Sequence, residues 1–183
     1  MDSHPYRGAD VARCWAGFAS LGAGLVHAAV VNEHWSYWLP YGVFFGVVAA
    51  AQLGWAVAAL ARDRIALPRL MVGANLALIA LWGVTRTVGL PFGPDAGRPE
   101  AIGVADLGAV GLQLILVAVV LGSRLGVVRR LGRSTAGLLT GLAGGALVVG
   151  LITTPALAGT EAGAHAHHHG AAADYQGARP NPS

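Results

Sequence analysis

His27 and His34 stand seven residues apart near the end of an apolar run, with Asn32 and Glu33 between them and Trp35 beside them. Seven residues is about two helical turns, so both imidazoles share one face if the helix persists that far. Imidazole and carboxylate together suit Zn²⁺, Cu²⁺ or Ni²⁺. His27, His34, Glu33 and Asp106 are therefore the candidate ligands of a divalent transition metal. A second imidazole cluster, His165, His167, His168 and His169, lies near the C-terminus, and neutral His-rich tracts chelate the same ions. Sulfur comes only from Cys14, Met1 and Met71. That disfavours a thiolate or thioether route for Cu(I) and excludes a multi-cysteine zinc site within one chain.

Two further charges, Arg86 and Asp106, stand inside apolar runs. An ionisable group at the centre of a membrane span costs roughly 2.5–3.5 kcal/mol on insertion scales, and less near its end, so each must have a partner or a task. Asn75 shares a helical face with Arg86, and Gln113 shares one with Asp106. Gln52 lies deep in another run. These stripes imply a polar pocket in the interior of a bundle, open at one end and narrowing inward, with Arg86, Asn75 and Gln113 as structural or orienting residues. Arg86 and Asp106 also suit a plain structural ion pair, and His27 a hydrogen bond to a neighbouring carbonyl. His with a carboxylate has the chemistry of a general base, but Ser20 and Ser123 are badly placed as nucleophiles, and no catalytic residue is assigned. Haem is not expected, because His27 and His34 share a helix and cannot flank one macrocycle; nor is a nucleotide.

The elements that position these residues follow from composition. Of 183 residues, 55% are hydrophobic and 11% charged, where a soluble domain carries about 25% charged. The excess of arginine over acid forms no basic patch on a polar domain, so the chain is not read as a nucleic-acid binder. Five apolar stretches, at about 14–31, 40–60, 70–90, 102–122 and 135–157, approach or exceed the roughly 20 helical residues that cross a hydrocarbon core. The links are short and carry breakers such as Pro68, Pro91, Pro94 and Pro99. The expectation is an all-α, up-and-down bundle of five transmembrane helices over residues 1–158, followed by a disordered His-bearing tail at 159–183.

All twelve basic residues are arginine, a bias that suits a GC-rich bacterial coding sequence. Under the five-span reading, Arg7, Arg13, Arg62, Arg64, Arg69, Arg124, Arg129, Arg130 and Arg133 fall on one side, and Arg86, Arg98 and Arg179 on the other. The arginine-rich side is cytoplasmic, which puts the N-terminus inside and the tail outside a bacterial inner membrane. The first run also resembles a signal-peptide h-region, but His27 interrupts the small-residue site a peptidase would need. Gly42 and Gly46, and Gly137, Gly141 and Gly145, recur at four-residue spacing. Such faces serve close packing within the bundle or against other membrane subunits or a second copy.

The stretch 82–94, Trp-Gly-Val-Thr-Arg-Thr-Val-Gly-Leu-Pro-Phe-Gly-Pro, followed by Gly103-Val104-Ala105-Asp106, resembles small polytopic membrane proteins of unknown function from GC-rich bacteria. The likeness extends to 27–35 and 44–52. It implies that Arg86, Asp106 and His27 belong to one constellation, and it implies no activity. The leading expectation is a protein that binds or passes a divalent transition metal at an outward-facing polar pocket, with the tail capturing metal. The alternatives are a non-catalytic accessory or assembly subunit of a larger membrane complex, and a small-molecule or lipid-handling protein with Arg86 as an anion contact.

Overall fold

The computed structural model describes residues 7–62, 67–125 and 143–158, and every regular element among them is helical. In chain order these are α1 (Arg7–Tyr37), α2 (Leu39–Ala61), α3 (Pro68–Thr87), α4 (Val104–Arg124) and α5 (Ala143–Ala158). The first four are long and apolar enough to cross a membrane, and α5 is shorter. At 1.5 Å per residue the 20 residues of α3 extend about 30 Å, the thickness of a hydrocarbon core. The expected segment at 135–142, Gly137, Gly141, Arg129, Arg130, Arg133 and the whole tail with its histidines lie outside the described residues.

α1 is the hub. Its alanines Ala12, Ala16, Ala19 and Ala23 recur at helical spacing and are essentially fully buried. Small residues let backbones approach, which is how dispersion drives helices together in a solvent as apolar as they are. Leu53 and Leu60 of α2 lie over Gly24 and Gly17 of α1, so the two helices run antiparallel along their length. Ser20 donates to the Gln52 carbonyl across this seam at 2.8 Å. The other faces of α1 meet α4 and α5: Gly22 abuts Leu112, Val149 and Thr153. Trp55, Met71, Leu112, Leu116 and Val120 complete the core around it.

α1 does not stop near residue 31. It continues to Tyr37, and only Trp38, in extended conformation, separates it from α2. The reason is local: nothing between Val31 and Tyr37 breaks a helix, whereas Pro40 fits the first turn of α2. So abrupt a corner brings Gly42 against the Trp35 backbone, where a Cβ would stand 2.5 Å from its Cα. Asn32, Glu33 and His34 are therefore helical, and His27 lies about 15 Å below the corner rather than at the membrane edge.

α3 stands apart. Among α1–α4 its backbone comes close to that of α4 alone, while Met71 near its start joins the core with Ala16, Ala19, Trp55 and Ala59. Only 17% of its apolar stretch is buried, against 50% of that of α1. Between α3 and α4 runs an ordered strap, 88–103, which folds back over the α1–α2 corner. Gly89 (φ 74°) starts it in the left-handed region and lies directly against the Arg98 backbone. The Glu100 amide donates to the Thr85 carbonyl at 2.9 Å, Tyr37 donates to Asp95, and Phe92 meets Trp38.

Candidate binding cavity

Because α2 and α3 do not close on each other, a cavity of about 440 Å³ remains between them. α1 and α4 form its back wall, and the strap forms its roof. Most of the wall is apolar or aromatic: Pro40, Phe44 and Phe45 from α2, Leu78, Leu81 and Trp82 from α3, Ala109 and Val110 from α4. His27, His34, Thr85, Arg86, Asp95, Glu100, Asp106 and Gln113 supply the polar part.

Both imidazoles are held in one tautomer. His27 Nδ1 faces two acceptors, the Ala23 carbonyl and Gln52 Oε1, each at 2.9 Å, so the proton sits on Nδ1. His34 Nδ1 donates to the Val30 carbonyl at 2.8 Å. With the proton on Nδ1, Nε2 is the acceptor of the neutral form of each ring. Phe45 stacks near both, 5.8 Å from the His27 ring and 4.2 Å from the His34 ring. The two histidines thus share one wall of one cavity, as the seven-residue spacing implied.

Arg86 is the most heavily engaged side chain. Its guanidinium bonds Glu100, reaches Asp106 Oδ2 at 2.8 Å and donates to Thr85 Oγ1 at 3.0 Å. The same Asp106 oxygen accepts the Gly103 amide at 2.8 Å, capping α4. One cation is therefore matched by two carboxylates, and a third, Asp95, also lines the cavity. Arg98 approaches Asp95 only to 3.8 Å, is 81% exposed and is not part of the lining. Three carboxylates and one guanidinium thus line the cavity.

Gln113, 2% exposed, lines the cavity and makes no hydrogen bond among the described residues. Asn75 is equally buried, but it donates to its own Met71 carbonyl at 2.8 Å and stays outside the cavity. Glu33 is exposed and is not among the lining residues. His27, His34 and Asp106 thus come to one cavity while Glu33 does not, and Asp106 is already committed to Arg86 and the α4 cap. Among the described residues no group of three His, Cys, Asp or Glu is arranged to hold a metal ion.

Glu100, Asp95 and Gln52 were not anticipated as partners. The two acids sit in a strap with no periodicity to place them, whereas the Gln52 contact follows once α1 is known to run to Tyr37. Comparison of the chain with protein-family models, with curated proteins and with solved structures finds no match in any of the three.

Proposed function

We propose that this is a small-molecule- or lipid-handling membrane protein, and that the cavity between α2 and α3 receives an amphiphilic molecule from the bilayer. The observation that carries the reading is the cavity itself. A volume of about 440 Å³ lies within the range of small-molecule sites, which are mostly apolar with a few convergent polar groups. Its apolar wall suits a hydrocarbon body, and its polar groups suit a head held under the strap. The gap between α2 and α3 is the natural entrance for a molecule dissolved in lipid. With nine arginines on one side and three on the other, the strap end faces outward and the N-terminus lies inside a bacterial cytoplasmic membrane.

The test is saturable binding of a fluorescent alkyl-chain probe to the purified protein in neutral-lipid nanodiscs. Val110→Trp, which fills the cavity, abolishes binding while retaining the thermal unfolding transition. Absence of saturable binding to the wild type, or undiminished binding to a folded Val110→Trp, overturns the proposal.

A second reading keeps the transition metal. It is favoured by the tautomers of His27 and His34, since an Nδ1–H donated to a carbonyl is the arrangement that orients a metal-ligating Nε2. Zn²⁺ binding to protein lacking residues 165–169, lost in His27→Ala, supports it. No binding beyond the contribution of the tail removes it.

A further inference from the structure

We infer that the head group this cavity selects is a protonated amine bearing N–H donors, an inference that rests on the binding reading above. Three features of the lining point the same way. Its charges are one guanidinium and three carboxylates, and the guanidinium is already bonded to Glu100 and Asp106. Three carboxylates against one guanidinium favour a cation over a phosphate or carboxylate head.

The second feature is independent of charge. Gln113, 2% exposed, lines the cavity wall with no hydrogen bond among the described residues, and its amide is available to an occupant of the cavity. His27 and His34, each with Nδ1 bonded to a carbonyl, line the same cavity. The lining also holds two donors unpaired among the described residues, Trp82 Nε1 and Arg86 Nε, but its three carboxylates and the imidazole acceptors outnumber them and favour a head with several donors. A primary ammonium has three; a quaternary ammonium has none.

The third is the aromatic surround. Phe45 lies between the imidazoles, and Tyr41 and Trp38 meet edge to face at 4.7 Å on the same wall. Ring faces stabilise an adjacent cation, more so where water is excluded. An alkylamine would lay its chain along Phe44, Leu78 and Leu81 and bring its nitrogen to the polar groups beneath the strap.

The experiment compares decylammonium, decyltrimethylammonium, decanol and decyl phosphate on the full-length protein in phosphatidylcholine nanodiscs. Empty discs serve as the control, and saturable change in tryptophan fluorescence is the readout. Decylammonium is expected to bind about tenfold more tightly than decanol or the quaternary analogue, since a hydrogen bond to a charged group contributes on that order, and decyl phosphate least tightly. Gln113→Leu and Glu100→Gln, each checked for a wild-type unfolding transition, lower the amine affinity and shrink its advantage over decanol. If decanol or decyl phosphate binds as tightly as the amine, the charge assignment is wrong while the cavity stands. A quaternary ammonium equal to the primary one removes the donor requirement. Folded variants with unchanged amine affinity place the head elsewhere, and failure of all four compounds to bind overturns the cavity reading itself.

Discussion

Asp106 performs two tasks with one oxygen, accepting from the guanidinium of Arg86 and from the first free amide of α4. Glu100 performs one, at a more exposed position, 45% against 31%. Their removal should therefore differ in cost. Asp106→Ala loses the bond by which this third helical residue reaches back to the Gly103 amide, together with a part-buried ion pair, for a total of about 2 kcal/mol. Glu100→Gln should cost under about 1 kcal/mol, as exposed pairs do. Equilibrium unfolding in mixed micelles measures both. A double-mutant cycle with Arg86→Ala then isolates the pair itself. The hydropathy pattern alone placed Arg86, Asp106 and Gln113 together, because charges and amides inside apolar runs must face one another. It left Glu100 and Asp95 unassigned, because a strap of glycines and prolines has no period from which to read a facing partner.

The helical class and the order of the described helices follow from the sequence, and their ends follow less well. Hydropathy fades after Val31, yet helix geometry does not require hydropathy, and α1 runs on to the first residue that must turn. That shift of six residues moved His27 from the rim to the interior and made Gln52 its partner, a contact that interhelical amides in membranes support by about 0.6 kcal/mol on average. The corner also yields a test. In Gly42→Ala the new methyl meets the Trp35 backbone, which cannot yield without opening the α1–α2 seam, and a loss of about 1–3 kcal/mol is expected. Gly46, four residues on, has nothing within 4 Å of a built Cβ. Gly46→Ala should leave the unfolding midpoint unchanged or slightly raised. The four-residue spacing treats these two glycines as equivalent; the fold separates them.

For the molecule as a whole, sidedness is the property on which the proposals depend. Single cysteines in a Cys14→Ser background test it directly. Ala96→Cys in the strap should react with a membrane-impermeant maleimide on intact cells. Ala61→Cys at the far end of α2 should react only after permeabilisation. The opposite pattern would turn the cavity toward the cytoplasm. The packing of the described helices also gives the cavity its asymmetry: three walls belong to tightly packed elements, and the fourth, α3, is held by α4, by the strap and by Met71 at its start.

The corner at Trp38 bears on how the protein enters the membrane. α1 leaves the ribosome before α2, and it carries Ser20 and His27 while burying half of its apolar stretch inside the fold. Ser20 finds its acceptor, the Gln52 carbonyl, and His27 its second acceptor, Gln52 Oε1, on α2, and a single residue of tether holds that helix close. The two helices are thus suited to pass from the translocon as one preassembled hairpin, with the histidine shielded from lipid before α3 has been synthesised.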